Sequence, residues 1–123
     1  MRVVIADDSG PMREKAQLVL KQLGWEIVAV CKDGLEAWAA IEELQPDLAW
    51  LDYTMPNMSG AQVAQSIAEN DIPTKVILVT ANGQQGAAYN PDLKTASVII
   101  KPYNKTLARI HLAKVFGEDC CDG

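Results

Sequence analysis

Residues 47–53 read DLAWLDY, a run of four apolar residues between two aspartates and before a tyrosine. A short run with no alternation is typical of a strand that is buried on both faces of a sheet. Five such runs alternate with helical patterns: Arg2 to Ala6, Glu26 to Cys31, Asp47 to Tyr53, Lys75 to Ala81 and Ser97 to Lys101. This alternation predicts an α/β fold, a doubly wound five-stranded parallel sheet with helices on both faces.

Capping residues and apolar stripes predict where the helices lie. Ser9, Asp33 and Ser59 stand at expected N-caps, with Glu36 and Gln62 three residues after the second and third. The expected buried positions are Met12, Ala16, Val19, Leu20 and Leu23, then Trp38, Ile41 and Leu44, then Val63 and Ile67, and finally Leu107, Ile110, Leu112, Val115 and Phe116. The last helix is predicted from about Thr106 to Phe116. Residues 82–95 carry glycines and a proline and predict a short or irregular helix.

Length and charge limit the classes of protein to consider. With 123 residues, 49% of them hydrophobic, the chain is long enough for one sizeable core. A net charge of -5 without a long basic run argues against direct nucleic-acid binding. The sequence has no signal-peptide pattern and no membrane-spanning apolar stretch, so we expect a soluble cytoplasmic protein that does not bind membranes.

The three cysteines do not form a recognisable framework. Cys31 is alone in an apolar run, while Cys120 and Cys121 are adjacent near the C-terminus. Their spacing fits neither a disulfide scaffold nor a zinc site, so we expect reduced thiols, with Cys31 in the core. The adjacent pair could in principle be redox-active or a ligand pair, and its role stays open.

Polar residues that could take part in catalysis or metal binding lie at the ends of four of the predicted strands. Asp7 and Asp8 follow the first strand, and Asp52, Thr80 and Lys101 lie at the ends of the third, fourth and fifth. Function in open α/β sheets gathers beyond the carboxyl ends of the strands. Crowded carboxylates repel unless a cation neutralises them, and Mg²⁺ prefers oxygen ligands. We therefore expect a Mg²⁺ site with Asp8 and Asp52 as direct ligands and Asp7 acting through water.

The same residues suit phosphoryl transfer. A carboxylate can act as the nucleophile and become an aspartyl phosphate, and Asp52 has the central position for this role. Lys101 can neutralise one phosphoryl oxygen, and the Thr80 hydroxyl can donate a hydrogen bond to another.

Four short motifs in a fixed order cover nearly the whole chain: Asp7-Asp8 after a strand, Asp52 followed by Met55-Pro56-Asn57-Met58-Ser59-Gly60, Thr80-Ala81, and Lys101-Pro102-Tyr103. Each motif is weak alone, but the set is highly specific. It resembles the receiver domains of response regulators in two-component signalling, and is most similar to stand-alone CheY-like receiver proteins.

The resemblance implies a flavodoxin-like (βα)5 fold with strand order 2-1-3-4-5, formed by residues 1–117 and followed by a short polar tail at 118–123. It implies that the Thr54 backbone carbonyl completes the metal site and that Pro102 follows a cis peptide bond. It further implies a phosphoprotein rather than an enzyme, with only self-catalysed phosphorylation and dephosphorylation. The phosphoryl donor would be a sensor histidine kinase or a histidine phosphotransfer protein, and a downstream target protein would be bound in response.

One position departs from the family pattern. An aromatic residue usually lies three positions before the lysine and rotates inward on activation, whereas this chain has Val98 there. The signal could pass through Thr80 alone, or Tyr103 or Tyr89 could replace the aromatic residue. The sequence leaves these alternatives open.

Parts of the same residue set are also compatible with other functions. Asp7 and Asp8 could simply cap the first helix, and His111 in the last helix is expected at or near the surface without a phosphotransfer role. A pseudo-receiver that only docks partners is an alternative, although the complete residue set argues against it. A Mg²⁺-dependent phosphohydrolase is a third, but the chain leaves no length for a substrate-binding cap. Chemotaxis, a phosphorelay or regulation of another enzyme all remain open as pathways.

Overall fold

The computed structural model describes residues 1–81 and 95–121 of the chain. Its strands form one parallel sheet in the order β2-β1-β3-β4-β5. Four α-helices accompany the five strands within these residues. The predicted doubly wound fold and its strand order are confirmed, while the helix predicted around residues 82–95 lies almost wholly outside the described residues.

The elements in chain order are β1 Arg2–Ala6, α1 Gly10–Gln22, β2 Glu26–Cys31, α2 Gly34–Leu44, β3 Leu48–Asp52, α3 Gly60–Glu69, β4 Lys75–Thr80, β5 Thr95–Ile100, α4 Lys105–Phe116 and a 3-10 helix Glu118–Cys120. The bounds of β1 and β2 are as predicted. β3 is shorter by one residue at each end, and β5 begins and ends earlier than the apolar run indicated. These are the positions where strand bounds are least determined by local sequence.

The helix starts differ in how their caps are made. Ser59 and Gln62 form a reciprocal capping box at α3. Asp33 caps α2 through the Glu36 amide, but the Glu36 carboxylate accepts from the amide of Lys32 rather than from that of Asp33. Only α3 therefore has the complete box that the residue spacing suggested for both helices.

Two apolar clusters cover the two faces of the sheet. One lies beneath α1 and α4 and contains Trp25, Trp50 and Tyr103. The other lies beneath α2 and α3. The strands β1, β3 and β4 are buried almost throughout, as their apolar runs predicted, but β2 is only partly buried because it is one of the two edge strands of the sheet.

Most predicted core positions are buried, and Ile110 is the clear exception, with 47% of its surface exposed. The last helix buries Ala108 and Leu112, which are one turn apart. A residue midway between them points away from the core at the helical period, so the prediction for Ile110 was wrong. Trp38 is only partly buried against the second cluster. No helix in the described part of the chain is both long and apolar enough to cross a membrane.

Candidate functional site at the carboxyl edge of the sheet

Four strands bring the predicted site residues to one edge of the sheet. Asp7 directly follows β1, Asp52 and Thr80 end β3 and β4, and Lys101 directly follows β5. The register aligns Asp52 with Val79 and Thr80 with Ile100, so the strands end almost level with one another. The backbone continues this register past the strands, since the Lys101 amide donates to the Thr80 carbonyl over 2.7 Å. The sheet itself therefore gathers these side chains.

Lys101 is the cation at the centre of the group. Its Nζ lies 3.4 Å from Asp7 Oδ2 and 3.4 Å from Asp52 Oδ1. The peptide bond between Lys101 and Pro102 is cis, as the family resemblance implied. Asp7 and Asp52 are only 6% and 7% exposed, so water screens these two ion pairs much less than pairs on the surface.

Asp7 is fixed from several directions. Its backbone amide donates to the Cys31 carbonyl, and its Oδ1 accepts from the Ser9 amide over 2.9 Å. Its carbonyl accepts from Arg13 Nη1 over 2.8 Å. With Lys101 near Oδ2, both carboxylate oxygens of Asp7 have partners within the protein, and its contact with a metal through water stays a prediction.

Arg13 was missed as a site residue, because its position in the sequence suggested only the polar face of α1. A basic residue in the first turn of a helix faces the positive end of the helix dipole, where acidic residues are favoured. This unfavourable position of a basic residue was the feature of the sequence that could have identified Arg13. In the structure the Arg13 side chain donates a hydrogen bond to the Asp7 carbonyl and so stabilises the backbone that carries Asp7.

Burial and like charge act together on Asp52. Loss of hydration, and after it the charge of the neighbouring Asp7, raise the pKa of Asp52 from 3.8 to about 6. Lys101 opposes both effects by stabilising the carboxylate, and Asp8 adds a smaller upward contribution. The site is therefore a cluster of carboxylates that one lysine neutralises only in part.

The cluster fits a hard divalent cation. One oxygen from each of Asp7, Asp8 and Asp52 lies within 4.8 Å of the other two. Asp8 is exposed, so this side of the cluster is open to solvent, while the other two aspartates are buried. An all-oxygen donor set with room for water is what Mg²⁺ prefers. Thr54, whose carbonyl was predicted as a further ligand, lies in the exposed loop after β3.

Several residues singled out from the sequence lie elsewhere. Val98 is partly buried and packs against the cluster beneath α2 and α3. His111 is partly exposed on α4, where its Nδ1 is hydrogen-bonded to the Ser97 hydroxyl. Cys31 is buried, as expected, and desolvation raises its pKa to about 11. The Sγ atoms of Cys120 and Cys121 are 3.0 Å apart and both residues are free cysteines.

Comparisons with known proteins agree with this geometry. The chain matches the response regulator receiver domain family over residues 3–112. It is 36% identical to the chemotaxis protein CheY of Listeria monocytogenes, across 84% of this chain and 87% of that protein. Two solved structures are also similar. One is a CheX–CheY complex with BeF3 and Mg²⁺ from Borrelia burgdorferi, with a TM-score of 0.84, 28% identity and coverage of 94% of this chain and 89% of that chain.

The other is the response regulator TrrA of Thermotoga maritima in complex with Mg²⁺ and BeF, with a TM-score of 0.83, 27% identity and coverage of 94% of this chain and 98% of that chain. The family match spans well over half of the sequence, and both structural neighbours cover nearly all of it. The chain belongs to the response regulator receiver domain family.

Proposed function

We propose that this receiver domain accepts a phosphoryl group on Asp52 from a sensor histidine kinase or a histidine phosphotransfer protein, and that the phosphorylated form binds a downstream target. The observation that carries the proposal is the position of Lys101 Nζ, 3.4 Å from Asp52 Oδ1 at the end of the central strand β3. A cation at that distance can hold both the carboxylate before transfer and a phosphoryl oxygen after it.

Asp52 is a better candidate for the acceptor than its two acidic neighbours. Both carboxylate oxygens of Asp7 are already engaged, by Ser9 and Lys101. Asp8 is exposed, so its nucleophilic oxygens would be well hydrated and poorly oriented. Asp52 is 7% exposed and lies at the end of a buried strand, which fixes the direction of its side chain. Orientation of this kind favours in-line attack.

The transfer is a displacement at phosphorus. A carboxylate oxygen of Asp52 attacks the phosphorus of a phosphohistidine on the donor, and the bond between phosphorus and the imidazole nitrogen breaks. The imidazole leaves as a neutral base after it takes up a proton, and Asp52 carries an acyl phosphate. Lys101 then neutralises one phosphoryl oxygen, and the Thr80 hydroxyl donates to another. A bound Mg²⁺, held by Asp8, Asp52 and the Thr54 carbonyl, would supply compensation for negative charge.

The output of the domain follows from a change in population between two surface states. A receiver domain signals through the partners that bind one of these states more tightly than the other. The Listeria relative is named a chemotaxis protein, which favours a chemotaxis-type target for this chain. A phosphorelay remains the alternative output.

The proposal can be tested by intact-mass measurement after incubation with phosphoramidate and Mg²⁺. We expect the wild type to gain the mass of one phosphoryl group, and Asp52→Ala to gain none. Asp47→Asn is the matched control, because Asp47 lies just before the opposite end of the same strand and hydrogen-bonds the Arg2 amide. It should be modified as fully as the wild type.

Two outcomes would overturn the proposal. An adduct that persists in Asp52→Ala would place the acceptor elsewhere. The absence of any adduct in folded wild-type protein, with Mg²⁺ present, would favour a domain that only docks partners. Omitting Mg²⁺ should greatly slow the modification, and a rate independent of Mg²⁺ would remove the metal from the mechanism.

A further inference from the structure

The loop between β3 and α3 carries the residues that follow Asp52 and includes Thr54, and its two ends are anchored to the sheet. At its start, the Tyr53 amide donates to the Val79 carbonyl over 2.8 Å. At its end, the Gly60 amide donates to the Tyr53 carbonyl over 2.8 Å. The middle of the loop contains an internal hydrogen bond from the Met58 amide to the Pro56 carbonyl. These bonds fix where the loop begins and ends, but its middle needs further support.

That support comes from the start of α2, which lies more than twenty residues earlier in the chain. Asn57 Nδ2 donates to Asp33 Oδ2 over 3.1 Å, and the Gly34 amide is directed at the Pro56 carbonyl at 3.4 Å. A Cβ atom on Gly34 would lie 2.0 Å from the Met58 carbonyl oxygen. Only glycine allows this approach, because an atom at that distance would overlap the loop backbone.

Asp33 accepts hydrogen bonds from both the start of α2 and the β3–α3 loop, one with each carboxylate oxygen. Oδ1 accepts from the Glu36 amide over 2.8 Å and caps α2, while Oδ2 accepts from Asn57. The helix cap therefore holds the carboxylate in the orientation that the loop requires. Asn57 itself has a φ of 71°, a left-handed conformation that asparagine tolerates better than most residues.

We infer that Asp33, Gly34 and Asn57 are positioning residues for the metal site, which set the place of the β3–α3 loop and hence of the Thr54 carbonyl. This inference rests on the proposed function. Thr54 is three residues before Asn57 within the loop, so displacement of the loop changes the direction of that carbonyl. Residues that orient metal ligands without touching the metal commonly contribute about 10- to 100-fold to metal affinity.

An exchange of the two side chains tests the inference. Asn57→Asp places two carboxylates in contact, and we expect Mg²⁺ affinity to fall by about 10-fold. Asp33→Asn alone retains a possible amide pair and a good helix cap, so a small effect is expected. The double variant D33N/N57D restores an amide-to-carboxylate hydrogen bond with the donor and acceptor reversed. It should recover most of the lost affinity.

Affinity is measured from the change in tryptophan fluorescence as Mg²⁺ is added to variants that also carry Trp25→Phe and Trp38→Phe, so that Trp50, two residues before Asp52, is the reporter. A second readout needs no metal: amide hydrogen exchange in EDTA should be faster at Gly34 and Met58 in N57D and return towards the wild-type rate in D33N/N57D. Asn70→Ala is the matched control, because Asn70 makes an exposed side-chain hydrogen bond to the Ser66 carbonyl at the far end of α3. This control should leave both readouts unchanged.

The outcomes separate this inference from the proposed function. If the wild type binds Mg²⁺ but N57D binds it equally well, or if the double variant is no better than N57D, the positioning role is wrong while the receiver chemistry stands. If the wild type itself does not bind Mg²⁺, the proposed function fails first. Recovery of both readouts in the double variant supports the inference, because it shows that the two side chains act through their mutual contact and not separately.

Discussion

Replacing Asp52 with asparagine should make the metal-free protein more stable. Asparagine keeps the size of the side chain and removes its charge. Asp52 is 7% exposed and lies near Asp7, and burial followed by this neighbour raises its pKa from 3.8 to about 6. The folded state therefore disfavours the carboxylate form that exists at neutral pH, and the substitution removes that unfavourable charge.

The size of the effect follows from the pKa. One pKa unit corresponds to about 1.4 kcal/mol, so a rise of about two units opposes folding by about 3 kcal/mol at neutral pH. The attraction of Lys101 for the carboxylate is already part of this pKa, but the asparagine must still be desolvated and its amide accommodated beside Lys101, which keeps Asp7 as a partner. We expect about 1–2 kcal/mol of net stabilisation after these opposing effects.

Urea unfolding in EDTA measures the difference in unfolding free energy between D52N and the wild type. The way this difference changes with pH tests whether the Asp52 charge causes it. The folded protein holds the Asp52 proton more tightly than the unfolded chain. Wild-type stability therefore rises, relative to D52N, as pH falls from about 7 towards about 4. The advantage of the variant should shrink over that window. Mg²⁺ should reverse the order at neutral pH, since a ligand at 100 times its Kd stabilises the wild type by about 2.7 kcal/mol.

Glu42→Gln is the control, because Glu42 is an exposed carboxylate on α2. Its stability should stay within about 0.5 kcal/mol of the wild type with or without Mg²⁺. A D52N variant that is less stable than the wild type in EDTA at neutral pH would refute the reasoning. It would show that the attraction of Lys101 outweighs burial and the repulsion from Asp7.

Three further predictions concern residues other than the acceptor. Gly60→Ala should lower the free energy of unfolding by at least about 2 kcal/mol, since its Cβ would lie 2.4 Å from the Asp52 carbonyl oxygen; a urea midpoint equal to that of the wild type would contradict this. Ile67→Ala should cost about 2–5 kcal/mol with an unchanged urea slope, because Ile67 is fully buried. Burial lowers the pKa of His111 below 6.5, so the wild type should lose stability relative to His111→Asn as pH falls through about 6.5. Parallel pH curves would exclude that effect.

The sequence was sufficient for those parts of the fold that depend on local pattern. Buried strands read as apolar runs, and the polar residue that ends each run marks the edge where function gathers. This is why Asp7, Asp52, Thr80 and Lys101 could be grouped before any distance was known. Their distances add a feature that spacing does not contain, namely that Lys101 is equally close to two carboxylates.

The remaining features depend on contacts between distant segments. The partner of Asn57 is 24 residues earlier in the chain, and nothing in the local sequence around either residue indicates the pair. The need for glycine at position 34 likewise comes from the Met58 carbonyl rather than from the start of α2. Ile110 has the composition of a core residue but falls on the outer side of α4. Tertiary placement, not propensity, decides each case.

The structure also limits which residues could transmit a signal from the site, since Val98 stands at the position expected to hold an aromatic residue. Tyr103 is 3% exposed, and its ring centre is 5.4 Å from that of Trp50 in an edge-to-face contact. Turning this side chain outward would expose roughly 150–250 Å² of surface, at a cost of about 4–6 kcal/mol. Coupling free energies between sites are typically about 1–3 kcal/mol, so Tyr103 is a poor substitute for a rotating aromatic residue. Tyr89 lies outside the described residues, and transmission through Thr80 stays a prediction; the Thr80 carbonyl accepts from the Lys101 amide and so links β4 to the chain after β5.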